Sequence, residues 1–345
     1  MKKIINNIKD KVTKKDLQEV SLSNKITNST LEEQRQEILN KGRKFKYPVQ
    51  YSKNKLIINT TLIATILFTG GFALTIFQLY KVQNDSDLMY RITSVSPFSV
   101  ASIDGSKASF SDYLLEYRLN MTYINKHKDI VEGANDIDTL SKRYKRQSLD
   151  NAIMNALAAK IAKENNITVS ETEVNDYFNQ LKKTQNGDIS ENTFYAIVKN
   201  NYNISPSEYR RIFIELPLLR QKVSAFIDKD AENIKNQISQ FLKENNNDFS
   251  KLVEKFGEKI EVGNSGVVKK TNIDGGKAKR ASELNIGSVS EPFISSSGDG
   301  YYFVKTIKKN ETDVSYDYIK IPFKEFKNRL DNLKKEGKIQ EYINI

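Results

Sequence analysis

The chain has 345 residues, 38% of them hydrophobic, with a formal charge of +11, one histidine and no cysteine or tryptophan. Zero cysteine excludes disulfides, thiolate nucleophiles, Fe–S clusters, cysteine-ligated zinc and an acylated lipoprotein cysteine. The lone His127 excludes a multi-histidine metal site, and a Ser-His-Asp triad would have to recruit it. Where the charge sits matters more than its sum. Residues 1–55 hold 14 Lys and Arg against 6 Asp and Glu, a net +8, whereas residues 81–345 hold 40 against 37, a net +3. The basicity belongs to a short N-terminal segment, so no nucleic-acid partner is expected.

Residues 1–55 are poor in aromatics, with Asn/Ser/Lys-rich ends and one helix-like patch from Leu31 to Leu39. They read as a largely disordered basic tail that sets topology and touches anionic lipid. From Leu56 to Tyr80 run 25 consecutive uncharged residues, LIINTTLIATILFTGGFALTIFQLY. As a helix, that run spans about 37 Å, enough for a hydrocarbon core of about 30 Å. A soluble core helix seldom goes this long without a charge, and some 55 mostly polar residues before the run fit a cleaved signal peptide badly. Residues 41–55 carry six Lys and Arg with no acid, while residues 81–95 balance Lys81 and Arg91 with Asp85 and Asp87. By the positive-inside rule the tail is cytoplasmic and the C-terminal part lies outside, in a single-pass protein of the cell membrane.

Residues 81–98 read as a polar linker. SVASIDGSK (99–107) is an apolar strand ending in an Asp-Gly turn, followed by a helix capped at Ser109 or Ser111. Residues 129–141 look like a loop. Leu149, Ile153, Leu157 and Ile161 then recur every four residues, the mark of an amphipathic helix. Ser170 with Glu173 and Ser205 with Glu208 have capping-box spacing, and Val169 with Val174 a hydrophobic staple. Pro206 suits a first helical position, and Pro217 should bend the helix that contains it. The expectation is a helical lobe over residues 99–228. From 229 the pattern changes to two helices broken at Asn245–Asp248, a Gly-bounded strand (VGNSGVVKK), a Gly-rich loop and a final strand from Tyr301 to Ile307. Fold class is therefore mainly α with a smaller α+β domain at 229–345.

Three segments of the helical lobe are similar to SurA-like and PrsA-like extracytoplasmic chaperones: VASIDGSKASFSDYLLEYRLNM, NAIMNALAAKIAKENNITVSETEVNDYFNQLKK and ISPSEYRRIFIELPLLRQKV. The second domain resembles a parvulin-type (rotamase) peptidyl-prolyl isomerase through Asp248-Phe249, Leu252, Gly263 to Gly266, Leu284, Gly287, Val289-Ser290, Pro292 and Gly300-Tyr301. Parvulins carry one histidine on their first strand and one on their last. Here the last-strand position is Tyr302, and no such strand precedes residues 230–244. The strand-like VSYDYIKI (314–321) could take the missing place, which would put Tyr318 where the first histidine lies. The resemblance thus implies a degenerate isomerase domain, with Tyr302 as the one weak catalytic candidate and Phe293, Tyr302 and Tyr318 as candidate substrate-binding residues.

Rotation about an X–Pro bond crosses a barrier of about 18–20 kcal/mol with no covalent step, so a dry pocket and well-placed hydrogen bonds could suffice without histidine. The bland reading of Tyr302, Phe293 and Phe303 is sheet packing. His127, in KHKD, reads as a solvated helix end, and Lys142 to Arg146 as a solvated helix face, with acidic wall polymers or client chains as alternative partners. The C-terminal FKEFKNRLDNLKKEGKIQEYI reads as an amphipathic helix closing the second domain. Together these features predict a membrane-anchored extracytoplasmic chaperone or foldase that holds unfolded or newly exported polypeptides, needs no cofactor, and touches lipid through residues 56–80. An active prolyl isomerase and a non-catalytic envelope scaffold with one fixed partner are the alternatives.

Overall fold

The computed structural model describes residues 28–46, 48–184 and 187–345. They form two compact units, one ending at Leu74 and one beginning at Thr75. In the first, α1 (Asn28–Lys46) and α2 (Pro48–Phe77) replace the disorder expected over much of the tail. The expectation for residues 1–27 lies outside the described residues. Asn54–Val82 holds an 18-residue stretch with a mean hydropathy of 1.9 and is long and apolar enough to cross a membrane. Its large side chains point outward, Leu67 and Phe68 being 70% and 77% exposed. The polar groups in this run are quenched locally. Thr60, Thr61, Thr65 and Thr69 each donate a hydroxyl to the carbonyl one turn earlier, at 2.7–2.8 Å.

In the second unit the helix widens into a π-helical turn, Gln78–Val82, with Leu79 fully buried. The expected linker at 81–98 is corrected: Ser86 caps α3 (Asp87–Val95), whose Met89 and Thr93 are buried. β1 (Ser99–Ile103) and β2 (Ser106–Ser109) form a hairpin through Asp104 and Gly105, both at positive φ (46° and 79°), as a tight two-residue turn requires. α4 (Phe110–Lys126) is capped by Ser109, not Ser111. The loop expected through residue 141 ends earlier, because Asp136 caps α5 (Ile137–Glu164).

Both expected capping boxes form, at the starts of α6 (Glu171–Leu181) and α8 (Pro206–Arg210). Between them lie the short ladder β3 (Lys183–Thr184) with β4 (Gly187–Asp188), and α7 (Glu191–Tyr202). Pro217 makes itself felt two residues ahead. Its missing N–H leaves the ladder short, and the backbone widens into a second π-helical turn, Arg211–Glu215, before α9 (Leu216–Ile227).

α10 (Lys229–Glu244) and α11 (Ser250–Phe256) open the second lobe, followed by β5 (Glu261–Lys269), α12 (Lys277–Glu283), β6 (Phe293–Ile294), β7 (Gly300–Lys309) and β8 (Asp313–Pro322). The sheet is antiparallel in the order β5-β8-β7-β6. Residues 314–321 thus pair with 301–307, with Phe303 opposite Ile319. Both faces are covered, so alternate residues serve different cores. Phe303, Ile319 and Ile321 pack on α10 and α11, while Tyr302, Val304, Val314 and Tyr316 pack on α12.

The chain end departs most from expectation. The helix α13 (Glu325–Lys335) does not close the sheet lobe; Phe326, Leu330 and Leu333 join the core of the helical lobe instead. The strand β9 (Ile339–Glu341) then adds to β1, with Ser102 opposite Gln340. One residue serves both crossings. Asp228, 5% exposed, accepts from the Ala231 N–H at the start of α10 (2.9 Å). Its other oxygen accepts from Lys324 and Glu325 N–H at the start of α13 (2.6 and 3.1 Å). Asp228→Ala orphans donors at two helix starts and is expected to cost about 2–4 kcal/mol in denaturant unfolding of the full chain. A loss below about 0.5 kcal/mol would show that the double cap contributes nothing.

Candidate functional site

The three residues singled out from the sequence meet on the α12 face of the sheet. Ring centroids lie 6.0 Å apart for Phe293 and Tyr302, and 6.1 Å for Tyr302 and Tyr318. Phe293 and Tyr302 are buried, at 7% and 4% exposure, and Tyr318 is half-buried. Gly263 on the facing strand makes room for the Tyr318 ring, since a Cβ there would sit 2.4 Å from it. Cations close the cluster from α12: Arg280 lies 4.2 Å from the Phe293 centroid and Lys277 4.8 Å from that of Tyr302.

The phenol of Tyr302 is engaged. It donates to Asp299 at 3.0 Å, where the Ser295 and Ser297 hydroxyls also donate, at 3.0 and 2.6 Å. Lys320 bridges Asp299 and Glu261, 3.1 Å from each. Burial acts to raise the Asp299 carboxyl, but bonds from Ser297, Lys320, Ser295 and Tyr302 outweigh it and hold the group at about 2. Burial, reinforced by the Asp299 charge, pushes the Tyr302 phenol well above its ordinary range, so it stays protonated and donating. Tyr316 is tied in the same way to Asp274, and burial together with that hydrogen bond raises its phenol.

Beside this cluster runs a cleft between the helical and sheet lobes. Its wider part, about 580 Å³, is walled by Tyr177 of α6, Leu218 and Gln221 of α9, and Phe293 and Arg280 of the sheet lobe. A narrower recess of about 270 Å³ continues past Tyr177, Leu181 and Ile273, the last 82% exposed. Gln221 pins the cleft floor by donating to the Ser295 carbonyl at 2.9 Å. Of the three candidates, only Phe293 lines the cleft; Tyr302 and Tyr318 do not. A second groove, about 660 Å³, lies wholly in the helical lobe among Tyr90, Tyr195, Tyr202 and Leu119. Sequence reasoning missed Tyr177 and Ile273. Ile273 had a signal, an aliphatic residue inside the polar run Thr271 to Gly276.

The other flagged residues are structural. His127 terminates α4, with its ring 4.4 Å from that of Tyr123 and its Nε2 3.2 Å from the Asn201 side-chain oxygen. It is part-buried rather than fully solvated. In the basic run, Arg146 pairs with Asp150 and, at 2.8 Å, with Glu341 of β9. Among the described residues no cluster of His, Asp or Glu could hold a metal ion.

A family model described as the SurA-like N-terminal domain matches residues 50–224, from the apolar helix into α9. No curated protein and no solved structure matches the chain.

The Asp299 network carries a pH signature. A carboxyl depressed in the folded state stabilises the fold fully above its unfolded value, near 3.8, and that contribution is lost as pH falls toward 2. Acid unfolding should therefore show a loss of stability in that window which Asp299→Asn flattens. Identical acid profiles for the two proteins would exclude the network as its source.

Proposed function

From a chain that belongs to the family of SurA-like N-terminal domains, we propose a membrane-anchored chaperone that holds exported polypeptides outside the cell membrane. The family suggests a chaperone-type role, and the interlobe cleft carries the rest. It is open, with Tyr177, Leu181, Leu218, Ile273 and Phe293 set among long polar and charged side chains, a surface that many unfolded segments can enter weakly. The groove among Tyr90, Tyr195 and Tyr202 offers a second such surface. No cofactor is needed for holding.

The anchor in this proposal is the apolar helix, with the basic side of the chain cytoplasmic. The sheet lobe is read as a parvulin-like domain whose first strand is supplied by β8, which places Tyr318 and Tyr302 at the two histidine positions. Holding rather than isomerisation is assigned to it. The Tyr302 hydroxyl is committed to Asp299 and the ring is 4% exposed, so a proline ring has no access to it.

Two measurements test the proposal. The full chain in detergent should suppress aggregation of chemically unfolded proteins of unrelated sequence, and Ile273→Ser should weaken this by roughly fivefold, the effect of one lost apolar contact. Suppression of no client would refute the chaperone reading, and an unchanged Ile273→Ser variant would move the client site elsewhere. Topology is also directly readable, because the chain has no cysteine. A membrane-impermeant maleimide applied to intact cells should label Lys338→Cys and spare Glu33→Cys; the reverse pattern would invert the orientation.

A further inference from the structure

The two ends of the cleft differ in charge. At the narrow recess the lining holds three lysines, Lys183, Lys270 and Lys279, and no carboxylate. None of the three has an ion-pair partner among the described residues. Three nearby acids are occupied elsewhere, whereas Asp188 stands opposite Lys183 in the β3–β4 ladder and Glu283 lies one turn after Lys279. Asp274 accepts from the Ala278 N–H at 3.0 Å and from the Tyr316 hydroxyl, and Asp313 pairs with Lys269 at 2.8 Å. Glu173 is held by Lys222 at 2.6 Å. The recess lining itself is thus net positive, whereas Asp176 and Glu283 line the wider part.

An apolar recess inside a lysine rim complements an apolar side chain with carboxylates beside it. We propose that this end of the cleft selects client segments in which an aromatic or aliphatic residue is flanked by Asp or Glu. The inference rests on the reading of the cleft as a polypeptide-binding site. Peptide suits the recess better than lipid. Its volume of about 270 Å³ takes one large side chain rather than an acyl tail, and Gln180, Thr271 and Asn272 offer partners to peptide amides.

The test uses the full chain in detergent and two short fluorescent peptides that differ only in flanking a central Phe with Glu or with Lys. The acidic peptide should bind roughly tenfold more tightly, the sum of three partly exposed charge contacts. That advantage should shrink with added salt. Combining Lys183→Glu, Lys270→Glu and Lys279→Glu should invert the preference. The corresponding triple Gln variant, which adds no repulsion and guards against misfolding, should abolish it without inversion. Equal binding of both peptides, unmoved by either triple variant, overturns the charge selection while leaving polypeptide holding intact. Binding of neither peptide overturns both. Binding of anionic lipid vesicles through the three lysines without any peptide preference also overturns the inference, assigning the rim to headgroups.

Discussion

The second unit depends on one buried carboxylate. The chain leaves the helical lobe after α9 and returns to it at α13, and Asp228 stands at both points. One of its oxygens serves the exit and the other the return, so a single side chain fixes where the sheet lobe hangs. Aspartate suits the task because a buried helix start needs acceptors for otherwise orphaned N–H groups. The width of the cleft between the lobes follows from this joint and from the Gln221 contact with Ser295.

The sheet lobe shows how a resemblance in chain pattern can coexist with different chemistry. Period-two alternation in β7 and β8 sends Phe303 and Ile319 to one core and Tyr302, Val304 and Tyr316 to the other. The two buried phenols on the second face, Tyr302 and Tyr316, are not left for a substrate. Each buried hydroxyl finds a carboxylate, Asp299 for Tyr302 and Asp274 for Tyr316, as a buried polar group must to avoid a desolvation penalty. In the proposed reading clients meet the cleft beside the sheet rather than the sheet face, and Phe293 is the one residue of the trio that lines it.

Much of this was legible locally. The apolar run, the Asp104-Gly105 turn, the two capping boxes and the four-residue period of α5 are short-range signals, and each marks its element. Short-range logic also explains the misses. α3 has only nine residues, and its signals, the Ser86 cap and an apolar side through Met89, are too short to stand out in sequence. α13 looks amphipathic, but nothing in its own sequence says which lobe its apolar side meets. β9 has only three residues and borrows its strand character from β1. Of the site, the aromatic trio was visible as residue types in the segments that carry the sequence resemblance. The cleft was not, because Tyr177, Leu218 and Ile273 lie on elements far apart in sequence.

That borrowed strand has a temporal consequence. Ser102 and Gln340 are roughly 240 positions apart, and closing so long a loop makes their pairing a late event in folding. As the chain is synthesised, the helical lobe emerges early yet lacks a third strand and the side chains of Leu333 and Ile343 until residues 333–343 arrive. During that interval its own Leu149, Ile153 and Val100 form an incomplete core. A nascent molecule of this kind passes through a stage in which it resembles the unfolded clients it is proposed to hold.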